Sequence, residues 1–201
     1  MITATVKGVE LRLQTAASLF SPRAIDRGTL AMLSCVEFRS DQKILDLGCG
    51  YGVVGLVAAG FAPPGQVWLV DKDPLAVRLA KENARLNGAP EVNVALSDGF
   101  DGLDEAGFDL ILCNPPYQAD FAVPKRFIEK GFNRLAIGGR MLMVTKRELW
   151  YRNKLTAIFG GVTVHHVDDY LVFEAVSRRS GYANRAPKAD AASPPSPGAR
   201  R

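Results

Sequence analysis

The stretch that decides the fold is KILDLGCGYGVVG, residues 43–55. Lys43–Asp46 has the apolar, β-favouring character of a buried strand. It runs directly into glycines at 48, 50, 52 and 55, and Val53–Ala59 then continues as a helix. Strand, glycine turn and helix in that order make the first half of a parallel β-α-β unit. Glycines at such a turn let backbone N–H groups approach a ligand closely, and the helix N-terminus adds partial positive charge, so the expected ligand carries an adenosine or an anion.

Working outward, strands are expected at Val67–Val70, Val92–Leu96, Phe108–Cys113, Arg140–Thr145, Val162–Val167 and Tyr170–Val176. A helix follows Asp73, with Asp73 as its N-cap, Pro74 at its first position and Asn87-Gly88 as its stop. Further helices are expected over Pro124–Ala136 and Leu149–Phe159. The last two strands are joined by Asp168-Asp169 alone, too short for a helical crossover, so they must pair antiparallel. Ahead of this core, a strand over Val6–Leu13 and a helix around Arg27–Phe38 form an N-terminal extension. The division expected is therefore an extension at 1–40, a core at 41–176 and a tail at 177–201.

Composition narrows the setting. The chain has 201 residues, 47% hydrophobic and 23% charged, enough to build a sizeable core without cross-links. Cys35, Cys49 and Cys113 show no CxxC spacing, which argues against a disulfide framework or zinc site and fits a reducing cytosol. They read as small buried hydrophobes rather than thiol nucleophiles. No apolar run approaches the roughly 18 residues that span a membrane, and the first residues lack a signal-peptide pattern. A cytoplasmic protein is expected. The net charge of +4 belongs to the end of the chain, because residues 177–201 carry +5 and residues 1–176 carry −1. That Pro/Ser/Ala/Gly-rich tail reads as disordered, and serves either as a flexible arm attracting nucleic acid or as a solubilising end.

The glycine cluster has two competing readings. Gly50-Tyr51-Gly52-Val53-Val54-Gly55 satisfies GxGxxG, and Asp71 lies 21 residues past Gly50, as in dinucleotide-binding folds. Against this, the turn already begins at Gly48, and Asp46 places a carboxylate beneath the loop, where a pyrophosphate would be repelled. That carboxylate suits a positively charged ligand. Asp71, at the tip of VWLVD, can accept both hydroxyls of a ribose.

These residues together resemble the class I S-adenosylmethionine-dependent methyltransferases: DLGCGYG, then Asp71 in VDKDP, then Ser97-Asp98, then Asn114-Pro115-Pro116-Tyr117, over roughly residues 15–176. The resemblance implies a Rossmann-like α/β fold, a seven-stranded mostly parallel sheet with a C-terminal antiparallel hairpin and helices on both faces. It implies that Asp46, Gly48, Cys49 and Gly50 line the methionine and sulfonium end of S-adenosyl-L-methionine. Asp71 would hold the ribose with Lys72 beside it, Asp98 and the Gly99 backbone would meet the adenine, and Asn114 would touch cofactor and substrate. Within that class, Phe20-Ser21 and Asp26-Arg27-Gly28-Thr29 are similar to the entry motif of the methyltransferase small domain family. Its best-known members methylate guanine N2 in small-subunit ribosomal RNA, and there the Asp-x-Gly-Thr stretch covers the cofactor, which makes Thr29 a contact. Some members carry a second, degenerate copy of the domain for substrate recognition, and this sequence has one copy.

The Asn-Pro-Pro-Tyr turn suits transfer to an exocyclic amine. Such a nitrogen is a poor nucleophile because its lone pair is delocalised, so it must be held with that lone pair aimed at the methyl carbon. The Asn114 side-chain oxygen and the Pro115 carbonyl can accept its two N–H groups. Pro115 and Pro116 stiffen the turn, and Tyr117 offers a ring on which a splayed-out base can stack. The catalytic set expected is thus Asn114, Pro115, Pro116 and Tyr117, with no metal. Lys146, Arg147, Trp150 and Tyr151, after the fifth strand of the core, suit phosphate contact and base stacking, or core packing and solvated charge. His165-His166 read as structural. The function expected is N-methylation of an exocyclic amino group, foremost guanine N2 in the small ribosomal subunit. The alternatives are a protein glutamine amide, DNA adenine, or a non-catalytic RNA-binding protein that keeps the fold.

Overall fold

The computed structural model describes residues 1–115 and 121–179. Pro116, Tyr117 and the tail beyond Arg179 lie outside the described residues. The N-terminus forms a separate two-stranded hairpin, β1 (Ile2–Val6) and β2 (Val9–Leu13). It is followed by α1 (Arg27–Ser34), β3 (Ile44–Leu47), α2 (Val53–Ala59), β4 (Val67–Asp71) and α3 (Pro74–Leu86). Then come β5 (Asn93–Leu96), β6 (Phe108–Cys113), α4 (Ala122–Arg134), β7 (Leu135–Thr145), α5 (Leu149–Phe159), β8 (Thr163–Val167) and β9 (Tyr170–Val176).

Seven strands make one sheet in the order β5-β4-β3-β6-β7-β9-β8. The first five run parallel, and β9 pairs antiparallel with both β7 and β8. Asp168, with φ of 50°, makes the two-residue turn that was expected to force this hairpin. The order reverses at β3, whose neighbours β4 and β6 leave toward opposite edges. A ligand crevice opens at such a switch point, beyond the carboxyl ends of the strands.

Strand residues divide between two apolar layers by alternation. Ile44, Leu69, Leu110, Leu112, Leu142 and Val144 face one layer, which α1, α2, α3 and the N-terminal hairpin cover. Leu45, Leu47, Val70, Ile111, Met141 and Met143 face the other, under α4 and α5. Gly55 lets α2 sit against the sheet, because a Cβ there would lie 2.4 Å from Leu69 Cγ.

Three local expectations are corrected. The strand expected at Val6–Leu13 is broken by Lys7 and Gly8, whose φ values of 51° and 81° close a tight hairpin between Val6 and Val9. The first helix stops at Ser34, short of Phe38, where the Cys35 and Val36 N–H groups tighten onto Met32 and Leu33. The helix expected to reach Ala136 ends at Arg134. Strand β7 starts at once and carries a bulge, with Phe108 opposite Leu135 but Leu110 opposite Arg140. Gly138, with φ of 84°, accommodates that bulge inside the strand instead of preceding it.

Candidate active site

At the switch point lies a cavity of about 330 Å³ bordered by the ends of β3, β4, β5 and β6, by residues 18–21, and by Asp26 and Thr29. Each strand delivers a polar group there. Asp46 comes from β3, Asp71 from β4, Ser97-Asp98 from just beyond β5, and Asn114 from the residue directly after β6. The expected residues Thr29, Gly48, Cys49, Gly50, Lys72, Gly99 and Pro115 border the same cavity. Val54, Val123 and Phe127 add apolar wall.

Asp46 is 3% exposed, and its Oδ2 accepts the Gly55 N–H at 2.9 Å, at the start of α2. Burial first, and the nearby Asp71 charge second, push its carboxyl from the ordinary 3.8 to about 7, against the pull of that hydrogen bond. Asp71 accepts from the Gly50 N–H at 2.8 Å and from the Asp73 N–H at 3.0 Å, so it shapes the glycine loop as well as bordering the cavity.

The glycine loop itself overturns one expectation. Four of its N–H groups are engaged within the protein: those of Gly48 and Cys49 both donate to the Val70 carbonyl, Gly50 donates to Asp71 and Gly52 to the Cys49 carbonyl. A phosphate would find those four donors taken and a carboxylate below, which counts against the dinucleotide reading. What the glycines provide is room, since a Cβ at Gly48 or Gly50 would meet nothing within 4 Å. Cys49 and Cys113 are buried, and burial with the Asp46 and Asp71 charges pushes both thiols well above their usual range. They are protonated at neutral pH and are not nucleophiles.

Asn114 is held from across the chain. Its Nδ2 donates to Asp26 Oδ2 at 2.8 Å and to Thr29 Oγ1 at 2.9 Å, while its Oδ1 is buried and accepts no hydrogen bond from the described residues. The segment leading to Asp26 is pinned by Tyr51, whose hydroxyl donates to the Ser21 carbonyl at 3.1 Å and the Ala24 carbonyl at 3.4 Å. Burial, with Asp26 as a lesser cause, pushes that phenol up to about 12, so it remains a donor. Neither the Asp26–Asn114 contact nor the Tyr51 tether was foreseen. The signal for Asp26 was its place in the Asp26-Arg27-Gly28-Thr29 entry motif, and its position directly before α1 is that of a helix N-cap.

At the far end, the exposed Asp98 side chain pairs with Arg126 from α4, and Asp101 pairs with Lys130. Ser97 is buried and its hydroxyl donates to the Gly99 and Asp101 carbonyls, fixing this loop. The aromatic group after β7 is divided. Tyr151 is 4% exposed and stacks on Phe173 within the core, so it is not available to a base. Trp150 stacks on Phe121 at 4.4 Å between centroids, and the Arg147 guanidinium lies over the same Phe121 ring. Lys146 is exposed beside Asp169. His165 bonds Glu174 at 2.9 Å in the terminal hairpin, a structural role. Among the described residues, no group of three or more His, Cys, Asp or Glu could hold a metal ion, and no helix is long and apolar enough to cross a membrane.

The sequence profile of the methyltransferase small domain family matches residues 10–174. The chain belongs to the methyltransferase small domain family. Among its curated relatives is the ribosomal RNA large subunit methyltransferase G of Pseudomonas putida strain GB-1, 33% identical over 158 residues, covering 76% of this chain and 42% of the relative. The protein of that name from Shewanella denitrificans is 34% identical over 169 residues, covering 81% and 44%. A solved structure, the T. thermophilus 16S rRNA N2 methyltransferase RsmC in complex with AdoMet and guanosine, superposes with a TM-score of 0.81 at 27% identity. It covers 88% of this chain and 50% of that one. TrmN from Thermus thermophilus, at 23% identity and a TM-score of 0.60, shares the fold. This methyltransferase small domain chain therefore spans about half the length, or somewhat less, of the relatives it matches. Its cavity fits S-adenosylmethionine. A buried carboxylate suits a sulfonium, open space over Gly48 and Gly50 admits the chain that carries it, and apolar wall flanks the loop at Asp98.

Proposed function

We propose that this protein is an S-adenosylmethionine-dependent methyltransferase acting on ribosomal RNA, and that the group it methylates is the exocyclic N2 amine of a guanine. The observation that carries this reading is the Asn114 side-chain oxygen, a buried acceptor with no hydrogen-bond partner among the described residues, on a residue that borders the same cavity as Asp46. A buried acceptor left unsatisfied in a native fold calls for an explanation, and an N–H brought by the substrate is the natural partner.

When bound, S-adenosylmethionine supplies an electrophilic methyl group on a positively charged sulfur. Asp46 in its ionised form offers that charge a counter-ion, and Asp71 extends the negative lining to the ribose. Lys72 borders the same end, and Asp98 with Gly99 would frame the adenine. Asn114 Oδ1 would accept one N–H of the target amine and the Pro115 carbonyl the other. The nitrogen is thereby fixed with its lone pair directed at the methyl carbon. The Tyr117 ring would carry the plane of the base, and Pro116, which fixes its own backbone angle, would stiffen the chain beside it. A positioned amine that becomes cationic on methylation is acidic enough to lose its proton to water, so no strong base is required.

The 16S enzyme's structure favours a small-subunit target and the large-subunit relatives favour the other. The test is labelled methyl transfer to 16S RNA, 23S RNA, intact subunits and total protein, with Asn114→Ala beside wild type. The expected result is N2-methylguanosine in one ribosomal RNA, with turnover in the variant lower by orders of magnitude while cofactor binding is kept in part. Label in protein glutamine, or undiminished turnover by the variant, contradicts the reading.

A further inference from the structure

We propose that Asp26 and Thr29 are positioning residues for the transfer step, because they decide which end of the Asn114 amide faces the reacting group. The inference rests on the reading of Asn114 as the acceptor for the target amine. It goes further by naming what makes Asn114 an acceptor and not a donor.

A primary amide has two faces of opposite character, an oxygen that accepts and an NH2 that donates. Rotation of half a turn about the side-chain bond exchanges them, and the shape of the group hardly changes. An unrestrained asparagine at this position would offer the substrate either face. Here both neighbours on one side are oxygens. Asp26 Oδ2 lies 2.8 Å from Nδ2 and Thr29 Oγ1 lies 2.9 Å from it. An ionised carboxylate only accepts. Turning the amide over would set its oxygen against the carboxylate oxygen, replacing a charge-assisted hydrogen bond with repulsion. The amide nitrogen is therefore committed, and Oδ1 is left buried, with no hydrogen-bond partner among the described residues, on a residue that lines the cavity.

The partners are themselves fixed. Asp26 is the N-cap of α1, in extended conformation at φ −61° and ψ 137°, and the same Oδ2 accepts the Thr29 N–H at 2.9 Å. Thr29 is 8% exposed. One carboxylate oxygen thus caps the helix and orients the amide. The consequence is specificity by hydrogen-bond polarity. The site is set to receive an N–H donor, as an exocyclic amino group is, and to reject a group offering only a lone pair. It also couples the two halves of the site, since the acceptor is aimed only while the N-terminus of α1 is docked.

The test uses the full chain, with labelled methyl transfer to ribosomal RNA, calorimetric titration of S-adenosylmethionine and thermal melting. Serine at 26 keeps an N-cap for Thr29 but is too short to reach Asn114, and valine at 29 removes the second acceptor at nearly constant shape. The double variant Asp26→Ser/Thr29→Val is expected to melt much as wild type does, and its turnover is read at saturating S-adenosylmethionine because Thr29 borders the cofactor cavity. Its kcat should fall by about 10- to 100-fold, the scale of one hydrogen bond to a charged group.

A swap supplies a readout that a merely structural role would not move. Asn114→Asp alone faces Asp26 with a second carboxylate and should lose turnover. Adding Asp26→Ser removes the opposing charge, keeps a cap for the Thr29 N–H and leaves the Thr29 hydroxyl to donate to the carboxylate at position 114. An oxygen again faces the substrate, and at least about tenfold of that loss should be recovered. Asn114→Ala distinguishes the two levels of the argument. If it abolishes turnover while the double variant keeps full kcat, or the swap recovers nothing, the positioning role is wrong and the Asn114 reading stands. If Asn114→Ala itself turns over normally, the function proposed for the site fails first. A loss of turnover in the double variant that saturating S-adenosylmethionine restores also overturns the positioning role.

Discussion

Replacing Asp46 by asparagine separates what the carboxylate does for the fold from what it does for a cation. Burial holds this carboxyl at about 7 in place of the ordinary 3.8. A displacement of that size favours the protonated form in the fold by roughly 4 kcal/mol, an upper bound, because the group borders a cavity that water can enter. The folded pKa lies above the unfolded one, so between about pH 4 and pH 7 the native state binds the extra proton. Stability from this group is therefore full below about 4, falls as pH rises, and is lost above about 7. Asparagine is neutral and nearly the same shape, and its oxygen can still accept the Gly55 N–H. Without cofactor, Asp46→Asn should lose that fall in melting temperature and gain about 1–3 kcal/mol at pH 8. Toward S-adenosylmethionine the direction reverses. Wild-type affinity should rise with pH to a plateau above about 7, as the carboxylate ionises. The demethylated product, with an uncharged sulfur, should show a shallower rise. Asp46→Asn should bind S-adenosylmethionine about 10- to 100-fold more weakly, the loss expected when a charge is removed from a paired site, with no dependence on pH in this range. Calorimetric titration across pH with both ligands reads all of these. Equal affinity of variant and wild type for S-adenosylmethionine at pH 8 would refute the charge argument.

Asp71→Ala removes the acceptor for both the Gly50 and Asp73 N–H groups, and cofactor affinity should fall by about 10- to 100-fold in calorimetry; an unchanged affinity counts against its role. Gly55→Ala sets a Cβ 2.4 Å from Leu69 Cγ, inside the fully buried α2–β4 contact. Overpacking of this kind costs about 1–3 kcal/mol, and an unchanged thermal melt would show that Leu69 yields freely. Tyr51→Phe deletes the hydroxyl that holds the Ser21 and Ala24 carbonyls. Hydrogen exchange should quicken over residues 18–26 with little change in the sheet, and unaltered exchange there would remove the tether from the account.

The parallel core was legible because its strands are short apolar runs with glycine or proline punctuation. Phe108–Cys113 and Leu149–Phe159 stand as expected to the residue. The two-residue link at Asp168-Asp169 was enough to reverse the last strands, since no crossover fits in it. What local pattern could not give was the bulge in β7, where Leu135 continues the sheet before the glycines. It also hid the turn at Lys7-Gly8, which splits an apparently continuous strand. At the site, residues from one strand end were readable as a group. Tyr151 was not, because whether an aromatic on a helix faces core or solvent depends on Phe173, a strand away. The Asp26–Asn114 bond joins positions 88 apart in sequence, and no periodicity carries that information. The glycine loop misled in another way. Its composition promises free N–H groups, but Val70 and Asp71 take them.

The most direct measurement of the central claim is nucleoside analysis of ribosomal RNA after incubation with the protein and methyl-labelled S-adenosylmethionine. The account predicts label in N2-methylguanosine at a single site, absent with Asn114→Ala. Label confined to protein, label on a ring nitrogen or ribose, or no transfer to any ribosomal RNA or subunit would contradict it.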